Sequence, residues 1–316
     1  MTNPSTPPIL SICIPTFSRS HFLRECLDSI TAQFSDEAIR SVVEIAVSDN
    51  ASTDDTEAVV KSYQKKYPNI RYSRNAENLG FDRNVAAALA LGGGRFLWLM
   101  SDDEMLAPEA LKFILPLLLG HPQVAYFCVN HGGLPRDTEF EVFSDGSAWL
   151  DSLGLTGGLI SQNIYNRDFL PADISRYYGN YWIHYSLAFE VMAAHPAMLV
   201  KKLFLDPPQE RECGWAEGGH ALTVYNSLNA ILKGLPALGY RPSAVRRRLR
   251  DMAKGLARQV ASSKIHNLKI SAAVFKKLCR DYGAYPWWLL PALAVYLCPN
   301  AWLRPLRGAV KAAGVI

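Results

Sequence analysis

The stretch RFLWLMSDDEM, Arg95–Met105, decides the fold. Phe96–Met100 is a short, wholly apolar run, which is how a strand buried on both faces of a parallel sheet reads. It stops at three consecutive acids, Asp102, Asp103 and Glu104. In an open α/β sheet, ligands bind in the crevice outside the carboxyl ends of the strands. Carboxylates crowded at that edge repel one another unless they are solvated or neutralised by a cation. Hard oxygen donors of this kind suit Mg²⁺ or Mn²⁺, which reach a protein through one or two carboxylates plus a substrate phosphate. A second reading is that the acids open the next helix, because negative charge is favoured at a helix N-terminus and Pro108 stands at a first-turn position.

Outward from this stretch the chain alternates. Ile9–Ile14 reads as a strand ended by Pro15, followed by a loop from Thr16 to Arg19 and a helix with Ser20 as N-cap. Leu23, Leu27, Ile30 and Phe34 lie at helical spacing in that helix. Val42–Val47 is a second strand, ending in Ser48-Asp49-Asn50. Ser52-Thr53-Asp54-Asp55 resembles a capping box and opens a helix with Val59, Tyr63 and Tyr67 in line, closed by Pro68. Ile70–Ser73 is a third strand, Asn75–Gly80 a polar loop and Val85–Leu91 a helix. Gly92-Gly93-Gly94 ends that helix and feeds Phe96–Met100. Because the glycines precede a strand, they are no phosphate cradle. Strands alternating with helices predict a doubly wound parallel sheet, with Thr16, Asp49 and Asp102–Glu104 along one edge. No GxGxxG follows the first strand and no GxxxxGK[ST] occurs, which argues against a dinucleotide dehydrogenase and a P-loop NTPase.

The bulk numbers narrow the class. A chain of 316 residues has room for one large domain or two small ones, and 49% hydrophobic with 20% charged residues makes it globular rather than disordered. A formal charge of +4 is no signature of nucleic-acid binding, and no nucleic acid is expected as a partner. Six scattered cysteines without CxxC read as free thiols in a reducing compartment. The N-terminus lacks a basic region followed by an apolar one, so a cytoplasmic location is expected.

Four pieces carry a resemblance: Ser11-Ile12-Cys13-Ile14-Pro15-Thr16-Phe17, Val47-Ser48-Asp49-Asn50-Ala51-Ser52-Thr53-Asp54, Asn78-Leu79-Gly80-Phe81-Asp82-Arg83-Asn84 and Ser101-Asp102-Asp103-Glu104. In this order and spacing they resemble the inverting GT-A glycosyltransferases, most closely the bacterial enzymes that build O-antigens and other surface polysaccharides. The likeness covers about residues 9–130 and is looser beyond. It implies a Rossmann-like, mainly parallel sheet with flanking helices. It also implies that Pro15, Thr16 and Ser18 contact the nucleotide, that Asp49, with Asn50 beside it, accepts a hydrogen bond from the base, and that Arg83 approaches the diphosphate or the base. Asp102, Asp103 and Glu104 would then be the DxD-type element that holds Mn²⁺ or Mg²⁺ and the donor. Glu104 departs from the family's usual Asp by one methylene. Taken singly, each residue has a structural alternative: Thr16 a strand end, Asp49 an Asx-turn, Arg83 a solvated helix position.

After Pro108 a leucine-rich helix, Leu111–Leu119, leads to a strand, Val124–Val129, and His131–Asp151 reads as loop. Tyr177–Tyr185 is aromatic with interleaved polar groups, which suits either a sugar acceptor or core packing. Inverting transfer needs a general base near the acceptor hydroxyl. His184 is the first candidate, since its ordinary pKa is near neutrality, with Asp173 and Glu190 behind it; a packed histidine is the competing reading. Gln209–Gly219 reads as a loop in which Arg211 could contact phosphate and Trp215 could close over the donor. Ala244–Ala261 is a basic helix. Tyr282–Leu303 is uncharged and tryptophan-rich but broken by Pro286, Pro291 and Pro299, with basic flanks on both sides. This pattern fits helices lying in a membrane interface better than a single crossing; a buried hairpin is the alternative.

The expected organisation is a catalytic domain over 1–225, with a nucleotide-sugar half (1–130) and an acceptor half (131–225), and a membrane-associating helical region over 226–316. The expected activity is metal-dependent transfer of a hexosyl or deoxyhexosyl group from a nucleotide-diphosphate sugar to a polyprenyl-diphosphate-linked saccharide. It would take place on the inner face of the cytoplasmic membrane. The alternative is a non-catalytic, membrane-associated scaffold on the same nucleotide-sugar fold.

Overall fold

The first apolar run, LSICIPT, forms β1 (Leu10–Thr16) and is buried almost throughout. Such a strand needs covered neighbours on both edges and both faces, and it has them. In the computed structural model, which describes residues 7–130, 138–205, 221–265 and 270–303, β1 pairs in parallel with β2 (Val43–Asp49) on one side and β4 (Phe96–Leu99) on the other. β2 pairs in parallel with β3 (Ile70–Arg74). The register sets Thr16 beside Asp49, and the Met100 N–H donates to the Cys13 carbonyl, so the acidic loop leaves the sheet at the same edge.

Period-two alternation assigns the two faces of β1. Leu10, Ile12 and Ile14 join a core with Leu23, Leu27 and Ile30 of α1 (Ser20–Thr31), Val59 and Val60 of α3 (Thr56–Gln64), and Leu111 and Ile114 of α5 (Ala110–Gly120). A short helix, α2 (Glu37–Arg40), leads into β2. Ser11 and Cys13 face the other way, against the end of α4 (Phe81–Leu91). Gly92 and Gly94 are required there: a Cβ on either would lie within 2.9 Å of Ser11 atoms. Helices on both faces make the sheet doubly wound, as the alternation predicts.

The remainder of the sheet is mixed. β7 (Asn163–Asn166) runs antiparallel between β4 and β5 (Tyr126–Asn130), β8 (Ala197–Leu203) is parallel to β5, and β6 (Phe140–Phe143) is an antiparallel edge. The strand order is β3-β2-β1-β4-β7-β5-β8-β6. Three expectations are corrected. The acids do not open a helix, because α5 starts only at Ala110. The α4 helix starts at Phe81, four residues before Val85, because its first turn is polar: Arg83 faces solvent, while Asp82 and Asn84 are buried in hydrogen bonds instead of apolar contacts. The segment read as loop up to Asp151 contains β6 and α6 (Gly146–Leu153), in which Asp145 caps the helix by accepting from Ala148 N at 2.8 Å while Trp149 is fully buried.

The chain divides into two compact units, Met1–Gln209 and Glu210–Ile316. In the second, helices Ala221–Gly234, Pro242–Ile265, Ala272–Asp281, Pro286–Leu297 and Asn300–Leu303 follow one another. Lys264, buried on Pro242–Ile265, donates to the carbonyls of Val295 (3.1 Å), Tyr296 (2.6 Å) and Cys298 at the end of Pro286–Leu297. Trp287 is 81% exposed and Trp302 73%. Among the described residues no helix is long and apolar enough to cross a membrane.

Candidate active site

The carboxyl ends of β1 and β2 are tied together before any ligand arrives. Asn84, on the second turn of α4, donates to the carbonyls of Thr16 (3.3 Å) and Ser48 (3.2 Å) and accepts from Ser48 Oγ and Asn75 Nδ2. Asn50 accepts from Leu79 N at 2.8 Å and from Asn75 Nδ2 at 3.2 Å, and donates to Asn78 Oδ1. Two asparagines thus fix the β1, β2 and β3 loops as one rigid edge. The first two loops also clasp each other: Ser18 N donates to Ser52 Oγ and Thr53 N to Ser18 Oγ. Ser18 (φ 50°) and Ala51 (φ 63°) both hold left-handed backbone that L-residues rarely adopt. Strain of this kind persists only where the surroundings over-determine it, and it gathers at ligand sites.

Asp49 is fully buried. Its Oδ1 accepts from Ser52 N at 2.8 Å and its Oδ2 from Tyr72 Oη at 2.6 Å, with Arg74 Nε 3.6 Å away. Asp49 thus holds the turn three residues on, at Ser52, and this bond is one part of a larger anchor. Pro15 precedes the hydroxyl of Thr16, which donates to Asp102 Oδ2 at 2.7 Å. Arg19 Nη1 donates to Asp102 Oδ1 at 2.8 Å and Arg19 Nη2 to Asp103 Oδ2 at 2.6 Å, so one guanidinium spans both acids. Ser101 Oγ closes the other oxygen of Asp103 at 2.5 Å.

Asp102 is 3% exposed, and burial pushes its carboxyl up to about 6, against the pull of Arg19 and Thr16. Burial also works against the Arg19 charge, but Asp102 and Asp103 outweigh it and hold the guanidinium above its ordinary range. Glu104 is buried next to them. Hard carboxylate oxygens from Asp102, Asp103 and Glu104 are the donor chemistry that fits Mg²⁺ or Mn²⁺, and the guanidinium marks where a cation is favoured. Among the described residues no three acids, histidines or cysteines are gathered in a metal-holding geometry.

The acidic loop connects to the other candidates through one segment. Ser101 N donates to Ser161 Oγ at 2.8 Å, and Trp98 Nε1 donates to the Ser161 carbonyl. A few residues earlier, the Gly158 carbonyl lies 3.0 Å from His184 Nε2. His184 stands at the start of α7 (Ile183–Met192) and is 4% exposed, with Phe81 edge-on to its ring. A carbonyl can only accept, so Nε2 carries the proton and Nδ1 the lone pair; Nδ1 is buried without a hydrogen-bond partner. Burial pushes the imidazole down to about 4, with the Gly158 carbonyl opposing. It is uncharged at neutral pH, with the basicity of a carboxylate.

Asp82 brings the aromatic loop to α4. Its carboxylate accepts from Gly179 N (2.8 Å), Tyr181 N (3.0 Å) and Ile183 N (3.4 Å), and its pKa is raised by burial in spite of these bonds. Arg83, exposed on the same turn, lies over the Tyr178 ring at 5.5 Å. An open groove of about 650 Å³ runs from Arg83 along α4 past Ala86, Ala90, Leu170 and Leu187; it is mainly apolar and separate from the carboxylates. Glu190 is committed to Arg176 and Tyr177 Oη, and exposed Asp173 accepts from Ser175 N at 2.8 Å. Arg211 and Trp215 lie outside the described residues. Arg19, Tyr72, Arg74 and Asp82 were missed by sequence reasoning, because each acts by holding an acid or a loop found only in space.

A central, mostly parallel sheet with flanking helices is the α/β, GT-A-type architecture expected from the sequence, and solved structures share it. The comparisons agree. Residues 11–143 match the model of glycosyl transferase family 2. Over 121 residues the chain is 40% identical to the abequosyltransferase RfbV of Salmonella typhimurium, covering 38% of this chain and 35% of that protein. It is 36% identical over 110 residues to the GalNAc(5)-diNAcBac-PP-undecaprenol beta-1,3-glucosyltransferase of Campylobacter jejuni, 34% of each. The matches thus span about a third of the length of these relatives. Solved structures match over nearly the whole chain. S. aureus TarS 1-349 in complex with UDP-GlcNAc has a TM-score of 0.58 at 15% identity, covering 95% of this chain and 92% of that one. The mannosyltransferase PcManGT from Pyrobaculum calidifontis, in complex with GDP-Man and Mn²⁺, has a TM-score of 0.57 at 17% identity, covering 93% and 88%. At such identities the likeness is one of fold.

Proposed function

We propose that the protein is an inverting, metal-dependent glycosyltransferase that moves a sugar from a nucleoside-diphosphate donor to a saccharide hydroxyl on a polyprenyl diphosphate. It would serve surface-polysaccharide synthesis on the inner face of the cytoplasmic membrane. The observation that carries this reading is the cluster of Thr16, Arg19, Asp102 and Asp103 at the carboxyl ends of β1 and β4, beside the anchored Asp49. The names of relatives support the class of acceptor and product: one is an abequosyltransferase, and another carries an undecaprenol-linked saccharide in its name.

In this reading Asp49 and Asn50 present acceptors to the base, and Pro15, Thr16 and Ser18 shape the nucleotide floor. Asp102, Asp103 and Glu104 would hold a divalent cation, which supplies charge for the departing diphosphate. Arg83, over Tyr178 at the groove along α4, is assigned to the diphosphate or the base. His184 takes the acceptor proton at Nδ1, since Glu190 and Asp173 are already committed and His184 alone of the three has a nitrogen without a partner. Attack by the deprotonated hydroxyl on the anomeric carbon expels the nucleoside diphosphate with inversion. Membrane contact is assigned to the exposed Trp287 and Trp302, whose aromatic bodies suit the headgroup level.

Calorimetry with UDP, GDP, CDP and dTDP, each with and without Mn²⁺, tests the reading on wild type and Asp102→Ala. One diphosphate that binds only with metal, and is lost in the variant, is the expected result. Failure of all four under both conditions would overturn it.

A further inference from the structure

The Arg19 side chain occupies the position of a counter-ion. Its planar fork gives one nitrogen to each of two acids, at 2.8 Å to Asp102 and 2.6 Å to Asp103. Asp102 is buried, and its second oxygen is filled by the Thr16 hydroxyl, so the guanidinium is the cationic partner on its other oxygen. A buried acid that loses its cationic partner is left uncompensated, so Arg19 can leave only if another cation takes its place. Arg19 has room on its outer side: its side chain is 35% exposed and the residue sits at the mouth of the β1–α1 turn, just before α1. The Phe22 ring, 5.1 Å from the guanidinium carbon, gives it a second surface to rest on.

We propose that Arg19 is a displaceable internal counter-cation: a divalent cation takes over Asp102 and Asp103, and the freed guanidinium turns to the diphosphate of the donor. The exchange raises the positive charge at the two acids from one to two, which matches their two negative charges, and leaves neither carboxylate without a cation. A guanidinium fork matches phosphate oxygens as well as it matches carboxylates, so the same side chain can serve both partners in turn. Metal and diphosphate then bind cooperatively, because each removes Arg19 from the other's way: the metal from the acids, the diphosphate by capturing the fork. Arg19 is in this account a positioning residue. The diphosphate half rests on the function proposed above, whereas the metal half does not.

The test is the affinity of the full chain for Mn²⁺ alone, read from the electron paramagnetic resonance signal of free Mn²⁺, for wild type, Arg19→Gln and Arg19→Lys. Binding of UDP, GDP, CDP and dTDP at saturating Mn²⁺ is then measured by calorimetry. Charge-assisted hydrogen bonds of this kind predict that Arg19→Gln binds Mn²⁺ about tenfold or more tighter than wild type and the diphosphate about tenfold or more weaker. Arg19→Lys keeps the charge without the fork and shifts both in the same directions by less. Circular dichroism spectra matching wild type show that the variants are folded. Unchanged or weaker Mn²⁺ binding in both variants overturns the proposal. Tighter Mn²⁺ binding in Arg19→Gln, with UDP, GDP, CDP and dTDP all failing to bind any form in the same calorimetry, upholds the counter-cation and refutes the transferase reading instead.

Discussion

Gly94 offers the sharpest test of how the acidic loop is held in place. A Cβ there would stand 2.8 Å from Ser11 N and Oγ and 2.9 Å from the Leu10 carbonyl carbon, where ordinary contact begins at 3.4 Å. The obstructing atoms are mostly backbone of the central strand and cannot swing aside. In Gly94→Ala the entry to β4 must therefore withdraw by roughly 0.6 Å, which is the difference between 3.4 and 2.8. That stretches the 2.7 Å bond from Gly94 N to Ser11 Oγ, and with it the 2.6 Å bond from Ser11 Oγ to buried Glu44. Overpacking costs about 1–3 kcal/mol, and each weakened buried hydrogen bond about 1 kcal/mol. The sum is about 3–5 kcal/mol, or a melting temperature lowered by roughly 6–20 °C for a unit of this size. Thermal melts followed by near-ultraviolet circular dichroism report the environment of buried Trp98 and Trp149 in that unit. Gly120→Ala is the control: no atom lies within 4 Å of its added methyl, so stability should hold or rise by up to about 1 kcal/mol. A Gly94→Ala protein melting within about 1 °C of wild type would refute the reasoning.

With its pKa near 4, His184 stays unprotonated as pH falls through 6.5, so the acid limb of sugar transfer attributable to the base should begin below about pH 5 rather than near 6.5. The unfolded chain takes up that proton near pH 6.5 and the folded chain only near 4, so the stability advantage of wild type over His184→Gln should shrink between those values in urea titrations. Replacing Trp287 and Trp302 together by Ser should lower partitioning onto vesicles of anionic phospholipid by about tenfold or more in sedimentation assays. Equal partitioning of the two proteins would remove those rings from the proposed contact.

The first half of the sheet was legible because each strand there is a contiguous apolar run, and each turn carries its own punctuation. Pro15, the Asp49-Asn50 pair and Gly92–Gly94 all stand where strands end or begin. Antiparallel β7 was not legible: Asn163-Ile164-Tyr165-Asn166 has polar ends, and its burial depends on Tyr126 Oη and on carbonyls near Val124 to satisfy those amides. β6 was missed because Glu141 and Val142 are exposed on an edge strand of only four residues. At the site, the acids themselves could be read from the chain. Their partners could not, since Arg19 and Asp102 are 83 positions apart and Asp82 and Tyr181 are 99. For His184 the sequence left a packed ring and a general base both open, because a helix buried on nearly every side shows little hydrophobic periodicity to decide between them.

Lys264 has a consequence of its own. The last turn of any helix leaves carbonyls that water normally satisfies, and in hydrocarbon each unsatisfied one would cost several kcal/mol. Here a buried ammonium on the neighbouring helix closes those of Val295, Tyr296 and Cys298 from the inside. The outer surface of Pro286–Leu297 is left with side chains such as Trp287, Leu290 and Leu297 and with a helix end that does not depend on solvent. Such a helix end can lose its water without losing its hydrogen bonds.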